Sequence, residues 1–597
     1  MITKIRFRGF SPTLVAVAVG CAVSFDAQAV NFNIGEIEGQ FDSSLSIGAS
    51  WSTQSPSQKL IGSANGGHGF TQTNDDGRLN FDKGETFSKI FKGIHDLELK
   101  YDNMGVFTRV KYWYDFELQD ENQDFKNVSN DGRQEAAKSS GIELLDAFAY
   151  YNYQIDDKPG SVRLGKQVVS WGESTFIGNS INSINPIDVS AFRRPGAEIK
   201  EGLIPVNMLY VSQGLTDKLS AEAFYQLGWD NTILDNCGTF FSSTDVAAKG
   251  CRANYNILDA TTVGALNQPG TKAALASLGV AVTPEGLIVP RGSDNEARDS
   301  GQWGLALRWL GDNTEYGAYA MNYHSRTPYV SVQNAGRADV IRALSTPALA
   351  QPILLGRGNY FLDYPEDIRL YGLSFATTLP EGTAWSGEIS YRPNMPLQLN
   401  TTDVTTLLAS SVATAAATGG AAAALAQAGA INTGYVRKEV TQAQTTFTHF
   451  FDQVMGAQRL TLIGEVGVDH IAGVSDTAGN RYGRDSVFGI PENAAADAEY
   501  GSGGFYTSVS WGYRARAIWD YANAIAGINL KPNVAWSHDV HGYGPVFNQG
   551  VKAVSLGLDA DYQNTYTASL NYTNFFGGDY NTVSDRDFIA LSFGVNF

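Results

Sequence analysis

Trp171, Glu173, Asn185, Asp188, Arg193, Arg194 and Glu198 crowd into one stretch, KQVVSWGESTFIGNSINSINPIDVSAFRRPGAEIKEGLIPVNML, Lys166–Leu209. The residues between Val169 and Val206 lack period-two alternation, so the set belongs to an excursion between strands. Asn185 ahead of Pro186 suits a helix start, with Asn as N-cap and Pro at the first helical position. RRPG, Arg193 to Gly196, then ends that helix. No nucleophile–base arrangement of a lipase or protease type and no nucleotide-binding loop is visible. HDVH offers His538, Asp539 and His541, but a third ligand at matching spacing is missing and a turn explains it better. QTNDDGRLNFDK resembles a calcium loop only superficially. Gln72 and Lys83 stand at its first and twelfth positions, where carboxylates are needed. The expectation is therefore no catalysis, no metal and no cofactor.

The elements that must carry the excursion are strands. In FIALSFGVNF, Ile589, Leu591, Phe593, Val595 and Phe597 fall on one face, opposite Ala590, Ser592, Gly594 and Asn596. QFDSSLSIGASW, VFTRVKYWYDFEL, LSAEAFYQLGW, QWGLALRWL, AWSGEISYR, RLTLIGEVGV, FYTSVSWGYRARAIW and TYTASLNYTNFF alternate in the same way. Trp51, Tyr114, Trp229, Trp309, Trp511 and Trp519 sit near the ends of the apolar stripes, as in the aromatic girdles of membrane barrels. A sheet in lipid must close to pair every backbone group. The expected fold is all-β, a transmembrane antiparallel barrel of roughly 14–18 strands with long loops. The last strand is expected to close on the first, near Phe41 to Trp51. Phe597 then looks like a signal read by the barrel-assembly machinery.

Other features fix the compartment. Lys4, Arg6 and Arg8, the apolar run Leu14 to Val19 and DAQA make a secretory signal over residues 1–29, cut near Ala29. Acylation of Cys21 is the weaker alternative. Cys237 and Cys251 remain, close a short loop and are expected to form a disulfide. With 43 Lys plus Arg against 61 Asp plus Glu, the net charge of -18 disfavours nucleic acid as a partner. The expected localisation is the outer membrane of a Gram-negative cell, with residues 30–597 forming one barrel.

Within it, residues 170–205 are expected to fold inward as a constriction. The alternative is an external cap held by ion pairs from Arg193 or Arg194 to Glu198. Residues 230–300 and 400–435 are expected as long surface loops, the second an Ala-rich helix. Strand phase turns Arg109, Lys111, Arg163, Arg308, Arg392, Arg514 and Arg516 towards the lumen, with Asp115, Glu117, Glu388 and Glu465. Two readings stay open: a basic lumen preferring anions, or charges pairing across a filled barrel.

The Lys166–Leu209 stretch also resembles the domain-of-unknown-function 1302 (DUF1302) family of Gram-negative outer-membrane proteins. NDDGRLNFDKGE, YHSRTPYVS, YPEDIRLYGLSFATTLPEGTAWSGEISYRPNMPLQLN, LIGEVGVDHI and WSHDVHGYGP extend the resemblance over the mature chain. It implies a barrel whose partners are outer-membrane lipids, a periplasmic lipoprotein carrier and an inner-membrane RND-type transporter. Traffic of small hydrophobic or amphipathic compounds, lipid or fatty-acid-like, follows as the expected function. A non-conducting scaffold that docks such a carrier is the alternative, and an outer-membrane hydrolase the third.

Overall fold

A computed structural model describes residues 30–252, 254–474 and 479–597. The signal sequence, its cleavage near Ala29 and Cys21 lie outside the described residues. Eighteen strands close into one antiparallel barrel. They are β1 (Ile37–Ser52), β2 (Thr86–Tyr101), β3 (Met104–Asp115), β4 (Ser140–Ile155), β5 (Lys158–Gln167) and β6 (Val206–Gly214). β7 (Leu219–Gln226), β8 (Trp303–Leu310), β9 (Thr314–Tyr323), β10 (Ile368–Thr378), β11 (Ala384–Gln398) and β12 (Tyr435–Asp452) follow. β13 (Arg459–Ile471), β14 (Val509–Ile525), β15 (Ile528–His541), β16 (Lys552–Tyr562), β17 (Tyr566–Phe576) and β18 (Phe588–Asn596) complete it.

Closure runs from Ser44 opposite Asn596 to Ser52 opposite Phe588. Phe597 extends it, donating its N–H to Ser43 and accepting the Ser43 N–H. A short strand, Val30–Ile34, then takes up β1 from Phe41 to Ile37. The two segments thus lie in line along β1, and neither edge is left unpaired.

Connections alternate in length. Two-residue turns such as Asp156-Asp157 and Ala526-Gly527 hold both residues at positive φ, the geometry that matches strand twist in a tight hairpin. The opposite rim carries the long excursions, among them residues 53–85, 168–205, 227–302, 324–367, 399–434 and 472–508. Membrane barrels carry short turns on the periplasmic side and long loops outside. Alternation sorts side chains by face: Phe593 is 54% exposed on the outer wall, while its neighbour Ser592 is buried inside.

Several sequence expectations change here. Asp115 caps a short helix, Phe116–Asp120, so Phe116, Glu117 and Leu118 leave the strand pattern. Glu117 pairs with Lys89 at this rim and is not a lumen group. Trp229 lies past β7, its indole bonded to the Ser325 carbonyl rather than in a girdle. The disulfide expected between Cys237 and Cys251, by contrast, is present. The long loops build a dome. Its two three-stranded sheets and the helices Ala350–Arg357 and Thr401–Ala426 bury their own apolar clusters around Leu287, Val332, Tyr360 and Leu408. Thr401–Ala426 is long and apolar enough to cross a membrane by composition, yet it belongs to this dome and only 17% of its apolar window is buried.

Candidate functional site: a loop across the barrel

Residues 168–205 leave the rim at the end of β5 and cross the lumen. Trp171 comes first, its ring tilted against Phe224 and Tyr319 and its indole N–H donated to Glu222 at 2.6 Å. The loop then reaches the far wall. Glu465 on β13 accepts the backbone N–H groups of Thr175, Phe176 and Ile177 at 3.0, 2.6 and 2.7 Å. Glu388 on β11 accepts those of Glu173 and Ile181. Gln442 and Gln444 on β12 donate to the carbonyls of Gly178 and Ile177. Irregular backbone away from water must find partners, and the wall supplies them as side chains. Gly372 on β10 leaves room for Ile181, whose Cγ1 would stand 2.7 Å from an added Cβ.

The return limb crosses to the opposite wall. Asp188 caps the helix Val189–Arg193 through the Ala191 N–H, and its other oxygen takes Lys111 Nζ at 2.9 Å. Lys92 Nζ lies 2.6 Å from Glu201. Gly196, at φ 62, faces Ser592 of β18. Both ion pairs are buried, so removing either partner would strand a charge, a cost of roughly 3–5 kcal/mol.

The predicted residues therefore do meet around one loop, but with other partners. Asn185 is not the N-cap. It accepts the Val169 N–H and donates to the carbonyls of Gln167 and Ile204, tying the two ends of the excursion together. Arg193 pairs with Asp235 at 3.0 Å and Arg194 lies over the Trp113 ring, so neither makes the ion pair with Glu198 that the external-cap alternative called for. Glu198 pairs with Lys200. Burial pushes the Asp235 carboxyl up, against the pull of Arg193. Lys92, Trp113, Glu222, Gln442 and Gln444 were not singled out in the sequence. The signal was present in Gln442 and Gln444, which alternate on one strand face with Val440 and Thr446.

Most lumen charges are neutralised in place. Arg109 meets Asp96 and Asp146, Arg308 meets Glu222 and Glu315, and Arg514 meets Asp539. Arg392 is fully buried against the Tyr323 hydroxyl and the Ser180 carbonyl. Arg163 stacks over Phe148 and Tyr210. Arg516 bonds Asn533 at 3.4 Å and, among the described residues, has no carboxylate within ion-pair distance. It belongs to the wall β14–β17, where Ser510, Asn533 and Asp539 are buried but the inward Ser555, Asn571 and Thr573 are only half-buried. A cavity of about 480 Å³ lies on the short-turn side of the loop, between Lys200, Lys531, Asp559 and Ser569. Another of about 510 Å³ lies on the dome side, lined by Gln398, Arg484, Tyr506, Phe547 and Tyr580.

The remaining sequence candidates do not converge. Asp539 points to Arg514, whereas His538 packs beside Tyr513 and Trp536 on the outer face. Asp75 and Asp76 of the calcium-like stretch meet Asp245 in the dome. Asp76 is held by Lys126 and Asn254, and Asp245 by the N–H groups of Asp76 and Gly238. Burial, reinforced by Asp76, pushes the Asp245 carboxyl up, and burial pushes Asp75 to about 6.

A family model described as "Protein of unknown function (DUF1302)" matches residues 10–597. The chain belongs to the DUF1302 family. No curated protein sequence matches this DUF1302 chain. Its fold is similar to solved structures at low identity. OccAB1 of Acinetobacter baumannii is 10% identical, with 96% of this chain and 98% of that one covered at a TM-score of 0.38. A BenF-like porin from Pseudomonas fluorescens Pf-5 is 8% identical, with 94% and 98% covered at 0.40. Salmonella typhi OmpF, in complex with daunomycin, is 9% identical, with 95% and 100% covered at 0.34.

Proposed function

We propose that this DUF1302 protein is an outer-membrane channel for small hydrophobic or amphipathic compounds, narrowed by its inward loop. The observation that carries the reading is the uneven filling of the lumen. The loop binds β2, β3, β7, β9 to β13 and β18, while the β14–β17 wall keeps half-exposed polar side chains, with cavities above and below the loop. The loop itself exposes Phe176, Ile187, Phe192 and Ile199. Exposed apolar side chains on the loop and polar side chains on the β14–β17 wall suit a cargo with both characters. Trp171, Glu173, Asn185, Asp188, Arg193, Arg194 and Glu198 fix the shape of this constriction, and Arg163 and Arg516 are lumen cations without a carboxylate partner among the described residues.

The outer wall supports membrane residence. Leu305, Leu373, Leu556 and Phe593 are exposed there, and each such side chain in water forgoes roughly 1.5–3 kcal/mol of burial. Lipid removes that penalty, and the barrel-assembly machinery is the partner that a strand ending on Phe597 would engage. Purified protein in planar bilayers should give discrete conductance steps. A deletion strain should lose uptake or export of an apolar compound. Silent bilayers together with unchanged transport would sink the channel reading.

A second reading has the pinning of the loop in its favour. Buried Lys111–Asp188 and Lys92–Glu201 pairs suit a fixed plug, and a non-conducting barrel would then dock a periplasmic lipoprotein carrier or RND-type exporter. Capture of such a carrier by a barrel without conductance would favour it.

A further inference from the structure

The dome holds an apolar cleft of about 520 Å³ that is separate from the lumen loop. One wall is the first half of the helix Thr401–Ala426. Thr402, Thr405, Thr406, Ala409, Ser410 and Ala413 follow helical spacing and put one face of small side chains along the cleft. Leu354 and Ala350 of the helix Ala350–Arg357 form the second wall, and Ile257 and Leu258 the third. Small residues on one side and large aliphatic ones on the others leave a void rather than a packed seam. Its volume falls within the roughly 300–1,000 Å³ of small-molecule sites.

Beside the helix hydroxyls, the lining carries Thr71, Gln351, Ser486 and Asn493, all uncharged. Thr406 donates its hydroxyl to the Asp403 carbonyl, so its oxygen keeps accepting capacity, whereas Thr405 donates to the Thr401 carbonyl and already accepts the Tyr255 hydroxyl. The Thr402 hydroxyl oxygen is shielded from solvent and has no protein partner. No Lys or Arg lines the cleft, and its one carboxylate, Asp259, is held by the Thr261 and Thr262 N–H groups. An anionic headgroup would find no counter-charge and one repulsive neighbour. A neutral hydroxyl would find acceptors.

We infer that this cleft is a capture site for a neutral, largely hydrocarbon molecule bearing a hydroxyl group, a long-chain alcohol or terpenoid alcohol rather than a fatty acid. The inference rests on the channel reading for its purpose and adds the cargo class and the point of first binding.

Full-length C21S/S410C protein in nanodiscs tests it, because Cys237 and Cys251 are joined and, with Cys21 replaced, the new thiol reacts alone. Labelling by an uncharged maleimide is timed with 1-decanol or with decanoate present. Decanol at ten times its half-protecting concentration should slow labelling about tenfold, with decanoate far weaker. A second substitution, Ala413→Trp, should fill the cleft and abolish protection. Ala422→Cys, beyond the cleft and past the break in the helix at Gly420, should label at an unchanged rate. Equal protection by decanoate, equal slowing at position 422, or no protection by decanol each overturns the inference. Transport without protection sinks the cleft and spares the channel. Protection without transport keeps the cleft and sinks the channel.

Discussion

Glu465 shows how a single side chain positions the loop. One carboxylate takes three consecutive backbone N–H groups and the Thr446 hydroxyl, deep inside the barrel. Glu465→Gln keeps the shape but turns an NH2 group towards N–H donors. Leaving buried donors unmet costs roughly 1–3 kcal/mol, so the loop should loosen. In planar bilayers the variant should show larger or noisier conductance steps than the wild type, with the barrel still folded. Asp75, in the dome, gives a pH prediction with a definite sign. Its folded pKa of about 6 exceeds the value of an unfolded Asp, so the folded state holds the extra proton between them. Stability from this group is therefore greatest near pH 4 and falls as pH rises to about 6. Asp75→Asn should raise the melting temperature at pH 7, by up to about 2–3 kcal/mol of stability, and leave it unchanged near pH 4. Thermal unfolding at both pH values checks this. At this scale the sequence was only partly legible. Strand phase turned Arg109, Lys111 and Arg392 inward correctly, because side chains alternate strictly along a strand. Their partners Asp96, Asp188 and Ser180 come from other segments and could not be read.

At the scale of elements, the excursion after β5 was visible because alternation stops there, and the inward path was expected. Its capping was misassigned for a physical reason. Asn-Pro is a good local helix start, but Asn185 is used to join the loop's two ends, and Asp188 caps the helix while holding Lys111. Tertiary demand overrode local preference. The pair Arg194–Glu198, which belonged to the external-cap alternative, is replaced by a guanidinium over the Trp113 ring, where an exposed ion pair would be worth at most about 1 kcal/mol. The bipolar attachment of the loop gives the next prediction. Replacing residues 173–183 by a short Gly-Ser bridge removes the contacts to β11, β12 and β13 but keeps the Asp188 and Glu201 ion pairs. Single-channel conductance should rise several-fold, since the narrowing is lost while the wall is intact. A conductance equal to that of the wild type would mean that this limb does not set the constriction.

At the scale of the whole molecule, stability depends on closure, because an open edge of β1 or β18 would leave a row of backbone donors in lipid. That much was legible: the stripe Ile589, Leu591, Phe593, Val595, Phe597 had to face outward, and β1 was the expected partner. What could not be read is how the seam is shared. β18 covers β1 only as far as Phe597 opposite Ser43, and Val30–Ile34 covers the rest. Two short segments meet where one long strand would be expected, so the junction has little redundancy. Deleting Phe597 removes both of its hydrogen bonds to Ser43 and an outward aromatic ring. Phe597→Tyr keeps the backbone pair and a ring suited to the interface. In unheated SDS electrophoresis, where a closed barrel stays compact, the deletion should lower the folded fraction and the midpoint temperature of unfolding. Phe597→Tyr should match the wild type. If both variants fold equally well, the seam at Ser43 does not limit closure, and the burden falls on the pairs from Ser44 to Ser52.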